Sequence, residues 1–141
     1  MLSQKTLFKN VTEAYTDLLA ELDTAQSNIS MMYYAFDSGI WSARISRILA
    51  AKARSGIRVR LMVDGFGQVL DNVSNSLLNR TLVRDLRAAG VEVVLFDPVG
   101  DRLSKLNRLH CKICAIDQRT LRTASSIAST SGLSICPRNW R

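Results

Sequence analysis

The sequence predicts an α/β fold, a mostly parallel sheet flanked by helices, and three observations carry that expectation. Segments with apolar residues at helical spacing alternate with short apolar runs rich in Ile, Val and Met. Glycine stands at two helix-to-strand junctions, Gly56 and Gly90, where a helix ends in left-handed backbone. Hydrophobic residues make up 47% of 141 residues, enough for one packed core and too many for a disordered chain.

In chain order, Val11, Ala14, Tyr15, Leu18, Leu19 and Leu22 place a helix over about Asn10 to Ala25. Asn28 to Phe36 has few polar residues in either alternating set, which predicts a strand buried on both faces. Asp37, Ser38 and Gly39 break it. Ile40 to Ser55 reads as a second helix packing through Ile45, Ile48, Leu49 and Lys52, and Ile57 to Val63 as a second strand. Asp64-Gly65-Phe66-Gly67 stands at a strand's C-terminal end, where α/β sites gather, and reads as a plain turn in preference to a site loop. Ser76 to Ala89 forms a third helix with Leu78, Leu82 and Leu86 in its stripe, Val91 to Phe96 a third strand ending at Asp97-Pro98, and a basic loop leads into a fourth strand from about Leu109 to Ile116. Helices between strands imply right-handed parallel crossovers.

The formal charge of +7 favours a phosphate-bearing partner, nucleic acid or an anionic membrane surface. No run approaches 18 apolar residues, and Met1 to Lys9 lacks the apolar core of a signal peptide, so cytoplasmic or membrane-peripheral residence is expected. Three cysteines, an odd number, then imply reduced thiols.

The candidate chemistry sits in the fourth strand, His110-Cys111-Lys112-Ile113-Cys114-Ala115-Ile116-Asp117, an H-x-K-x-x-x-x-D pattern. The strand period of two puts His110 and Lys112 on one face. A neutral imidazole attacks phosphorus as a nucleophile, and an adjacent ammonium neutralises non-bridging oxygens in the transition state. Asp117, an odd number of positions from His110, starts on the opposite face and takes an orienting or structural role among the three candidate catalytic residues. Cys111 and Cys114 form a C-x-x-C, but their side chains diverge in a strand and no second ligand pair accompanies them, so no metal is expected. Tyr33, Tyr34 and Phe36 offer stacking surfaces, of which at least two are expected in the core.

The motif resembles the signature of the phospholipase D superfamily. The likeness covers about residues 7–117, and includes the stretches Ala50 to Gly67, Leu86 to Val93, Phe96-Asp97-Pro98 and Leu106 to Lys112. The succession is similar to the first half of cardiolipin synthases and related phosphatidyltransferases. The resemblance implies a phospholipase D-like half domain in which two such motifs, one per half, face each other across a pseudo-twofold axis. One His forms a covalent phosphohistidine, the other protonates the leaving alcohol, and no metal or cofactor takes part. Carried over, His110 is the nucleophile and Lys112 the phosphate clamp.

The chain departs from the family after Asp117. Members continue with a Gly-Gly-x-Asn or Gly-Ser-x-Asn turn; here Thr123-Ala124-Ser125-Ser126-Ile127 stands in its place. Residues 118–141 hold four Arg, five Ser and no acidic residue, and are expected to be a divergent C-terminal tail, from an altered frame or a truncated gene end. His110 is the only histidine, so no second motif exists in this chain. Three functions are compatible with these features: a cardiolipin synthase-like phosphatidyltransferase acting on anionic phospholipid; a phosphodiesterase or nuclease of the same superfamily completed by homodimerisation; and a non-catalytic product.

Overall fold

The computed structural model describes residues 6–36, 39–69, 76–96 and 109–123. The breaker at Asp37 and Ser38, the Asp97-Pro98 stop and the basic loop lie outside the described residues.

Helix α1 (Val11–Asp23) starts at Asn10, whose Oδ1 accepts the Glu13 amide at 2.8 Å. It buries Leu18 and Leu22 and leads into β1 (Asn28–Tyr33). Helix α2 (Ile40–Arg54) buries Ile45 and Leu49, and its Lys52 ammonium donates to the carbonyls of Asp23 and Ala25, satisfying acceptors left open at the end of α1. Strand β2 (Arg58–Asp64) follows, then a short helix α3 (Gly65–Val69), helix α4 (Ser76–Ala88) and β3 (Glu92–Phe96). Gly56 and Gly90 have φ of +89° and +95°, so both junction glycines occupy the left-handed region that stops a helix cheaply only without a Cβ. Strands β4 (Ile113–Ile116) and β5 (Thr120–Thr123) complete a five-stranded sheet of order β3-β2-β1-β4-β5.

The α/β class stands, with a mixed sheet: β1, β2 and β3 are parallel, whereas β4 runs antiparallel to β1 and β5 antiparallel to β4. Parallel pairing came from the helical crossovers; no described helix separates β3 from β4, and β4 enters from the edge where β3 ends. The fourth strand is also shorter than expected, because Leu109 to Lys112 are outside the ladder.

Burial alternates along every strand of the ladder. Ile29, Met31, Val59, Leu61, Val93, Cys114 and Ile116 join Leu22, Ile45, Leu49 and Leu86 in one cluster, and each fully buried aliphatic contributes roughly 1.5–3 kcal/mol. Helix α1 packs on α2 and α2 on α4, so the described helices share one face of the sheet. That corrects the expectation of a strand buried on both faces: Ser30 and Met32 of β1 are only half-buried, and Val94 of β3, two strands away on the same face, is exposed. On that open face Arg60 and Glu92 pair at 2.7 Å, an exposed contact of small energetic value.

The sheet does not stop at Asp117. Asp117 and Gln118 take positive φ, 51° and 57°, the backbone a tight hairpin requires, and β5 pairs with β4 beyond them. Arg122 of β5 donates to Glu21 at 2.6 Å, forms an ion pair with Asp17, and stacks over Phe8 with its guanidinium 5.3 Å from the ring centre. Residues to Thr123 therefore continue the sheet, although composition alone set the whole stretch from 118 apart.

Candidate active site

The parallel strands β1, β2 and β3 end at one edge of the sheet. Because β4 runs the other way, the residues entering it, Leu109 to Lys112, lie at that same edge, the carboxyl ends where open α/β sheets gather their sites.

Along this segment Leu109 and Cys111 are buried and anchor the backbone, which leaves His110 exposed. Lys112 is 5% exposed, so its ammonium end is held rather than free in solvent. Both meet Tyr34, the residue after β1: the His110 ring stands edge-on to it at 5.0 Å, and Lys112 Nζ lies 6.0 Å from its centre. His110 and Lys112 thus share one aromatic neighbour. Burial lowers the Lys112 pKa below the usual lysine value, the direction expected for a desolvated cation. A phosphate arriving beside it would meet a poorly hydrated positive charge, which binds an anion more strongly than an exposed one.

The scaffold under these residues comes from the stretch read as a plain turn. Asp64, fully buried, ends β2 and caps α3: its Oδ1 accepts the Phe66 and Gly67 amides at 2.9 and 3.0 Å. Its Oδ2 accepts the Leu109 amide at 2.8 Å, fixing the backbone one residue before His110. Gln68 acts on the other flank, where its side chain accepts the Phe36 amide and donates to the Phe36 carbonyl, both at 2.9 Å. These two residues set the positions of the His110 and Tyr34 segments. The signal available in the sequence was a carboxylate at the end of an apolar strand followed by Gly-x-Gly, a combination that suits an N-cap and a close backbone approach.

Gly67 supplies that close approach. A Cβ there would lie 2.3 Å from the Tyr34 carbonyl oxygen, a backbone atom that cannot swing away. Gly67→Ala is expected to destabilise the fold by about 1–3 kcal/mol and to displace Tyr34 from His110. Thermal melting and tyrosine ring-proton shifts check this; an unchanged Tm with unchanged shifts would show that the contact is not tight.

Asp117 lies at the opposite end of β4, seven residues of nearly extended chain from His110, roughly 20 Å. Its carboxylate accepts the Gln26, Ser27 and Asn28 amides at 2.9, 2.8 and 2.9 Å and the Ser27 hydroxyl at 2.8 Å. The Asn28, Gln26 and Ser27 amides hold its pKa well below the carboxylate range. A depressed carboxylate pKa stabilises the fold above the unfolded value, roughly pH 4, and that contribution fades as pH falls towards the lowered value. The structure brings His110 and Lys112 together and puts Asp117 elsewhere, as a brace between the end of β4 and the start of β1.

Among the other candidates, Phe36 is buried and packs edge-on against Tyr33 at 6.0 Å, so these two are structural while Tyr34 faces the site. Cys114 is a free thiol in the core, its pKa pushed up to about 12, chiefly by burial. Cys111 is buried in the segment that carries His110. Cys111 and Cys114 lie an odd number of positions apart and do not pair with each other.

Comparison with known proteins gives the family. The family model described as "Cardiolipin synthase, PLD-like domain" matches residues 18–136. A cardiolipin synthase of Geobacillus kaustophilus is 35% identical over 120 residues, covering 82% of this chain and 22% of that protein. The probable cardiolipin synthase YwiE of Bacillus subtilis is 35% identical over 117 residues, covering 81% and 22%. The chain therefore spans about a fifth of the length of these relatives. Among solved structures, Nuc of Salmonella typhimurium, a phospholipase D family member, superposes with a TM-score of 0.57 at 22% identity, over 78% of this chain and 61% of that one. The matched region begins in α1, contains the His110–Lys112 site and runs past β5: this chain belongs to the phospholipase D-like domain family of the cardiolipin synthases.

Proposed function

We propose that this chain forms half of a phosphatidyl-transfer site of the cardiolipin synthase type. The observation that carries the reading is the exposed imidazole of His110 beside the buried ammonium of Lys112, both against Tyr34 at the carboxyl ends of the parallel strands. The names of its relatives supply the substrate class, an anionic phospholipid. In the first step His110 attacks phosphorus; the P–N bond forms, the P–O bond to one alcohol breaks, and Lys112 balances charge on the non-bridging oxygens. The departing alkoxide takes a proton from an acid. An acceptor alcohol then attacks the phosphohistidine, giving a new diester and restoring His110.

That acid cannot be His110 itself, which is occupied by phosphorus. A second copy related by a twofold axis supplies it, each copy contributing one His110 and one Lys112. The catalytic residues fall within residues 7–117, the sheet that carries them runs on through β5 to Thr123, and the domain works at the cytoplasmic face of a membrane. The positive charge also suits DNA, so the alternative is a homodimeric nuclease with the same chemistry.

Head-group exchange on phosphatidylglycerol vesicles, followed against protein concentration, tests the reading. Exchange rising with the dimer fraction supports it, and the isolated monomer is expected to be inactive or very weak. Exchange proportional to the first power of concentration in a monomer overturns the two-copy site; cleavage of DNA without exchange overturns the lipid assignment.

A further inference from the structure

The termini of the helices place exposed apolar residues around the reactive end. Helices α2 and α4 each run antiparallel to the parallel strands they connect, so their first turns lie at the strands' carboxyl ends, beside His110. Those first turns carry Ile40, Leu77 and Leu78, which are 75%, 76% and 58% exposed. Leu77 and Leu78 are fixed in place by the next residue, Asn79, which is 1% exposed and whose Nδ2 donates to the Gln68 carbonyl. They therefore ride on the same framework that positions Tyr34. One turn further on Arg44 and Arg80, and two turns on Arg47, are exposed on the two helices. The only acidic residue of α2 and α4 is Asp85, which is paired with Arg84 at 2.9 Å. Among the described residues, the acidic side of this end belongs to α1, at Glu13.

From this arrangement we infer that the rim formed by Ile40, Leu77 and Leu78, backed by Arg44, Arg47 and Arg80, is a docking surface for an anionic lipid bilayer. The inference rests on the lipid reading of the site and adds the surface by which the domain reaches its substrate. Aliphatic tips followed one or two turns later by guanidinium groups match the layering of a bilayer edge, where apolar side chains enter the acyl boundary and arginines meet the phosphates. A second copy of this chain fits the rim less well. An isologous contact there would lay Arg44, Arg47 and Arg80 against their own copies, with no free carboxylate on these helices to offset them. Docking by this rim would bring His110 to the depth of the lipid phosphates.

Sedimentation of the full chain with vesicles tests the inference. Equimolar phosphatidylglycerol and phosphatidylcholine vesicles are expected to bind it, and pure phosphatidylcholine vesicles to bind much less, since each arginine near an anionic surface is worth about a fivefold change in partitioning. The double variant Leu77→Glu, Leu78→Glu should partition at least about tenfold less, and Ile40→Glu, on the other helix, should weaken binding independently. Leu121→Glu, exposed on β5 away from the rim, should bind as the parent does. With Trp140→Phe as background, Trp41 beside Ile40 reports insertion through a blue shift and quenching by acyl-brominated lipid. His110→Asn should dock normally, so loss of chemistry and loss of docking are separable. Equal binding by the rim variants overturns the inference. So does a rim variant whose only effect is loss of self-association in sedimentation velocity, since the rim would then be an interface between copies.

Discussion

His110→Asn is expected to remove phosphodiester turnover, by roughly four orders of magnitude or more, in any preparation of this chain that shows turnover. The argument starts from the position of the imidazole. Leu109 and Cys111 are buried on either side of it, and the Leu109 amide is held by Asp64, so the segment keeps its path when the ring is replaced. Asparagine retains a short planar side chain and loses the nucleophilic nitrogen. Circular dichroism and Tm should therefore match the parent while a chromogenic phosphodiester stays intact. Activity surviving the replacement would remove the covalent route through His110.

Lys112→Ala is expected to cost about a hundredfold or more in kcat/KM. The side chain is buried, and burial lowers its pKa. The sign follows from linkage. A lysine whose folded pKa is lowered binds fewer protons folded than unfolded between the two values, so stability rises with pH through that window. Activity moves the opposite way, because the phosphate clamp needs the protonated form. The alkaline limb of kcat/KM should thus lie below the ordinary lysine range, and Lys112→Ala should lack that limb. A limb that persists in the variant would assign it to another group.

Much of the fold was legible because apolar periodicity responds directly to burial. The stripes of α1, α2 and α4 and the alternation in β2 and β3 follow the buried sets except at the helix starts, where Val11 and Leu78 are exposed rather than packed, and Gly56 and Gly90 mark left-handed stops that few other residues tolerate. Strand direction was not legible at β4, because Ile113 to Ile116 alternates identically whether it pairs parallel or antiparallel. The open face of β1 was misread because Met32, Tyr33 and Tyr34 are apolar enough for a core yet lie, in part, at a half-covered face or a site. Tail composition concealed β5: its four residues hold one large apolar side chain, Leu121, which faces outward, and Arg122 is held by ion pairs that no periodicity reveals.

At the site, His110 and Lys112 were named by the H-x-K spacing, although both lie outside the ladder, and Tyr34 and the support beneath them were not named. Asp64 and Gln68 act through backbone groups 45 and 32 residues away in sequence, at Leu109 and Phe36. Such contacts depend on the sheet order, which must be known before they can be named. Asp117 shows the reverse case. Its spacing from His110 tied it to the motif, and its amide partners at Gln26, Ser27 and Asn28 place its work at the other end of the strand.

Trapping the intermediate decides whether phosphorus is transferred through His110. The chain is mixed with phosphatidylglycerol labelled with radioactive phosphorus, denatured within the first turnover, and digested. The account predicts acid-labile, alkali-stable label on the peptide containing His110, reduced in Lys112→Ala and absent in His110→Asn. Turnover without label on that peptide, or label that persists in His110→Asn, would contradict it.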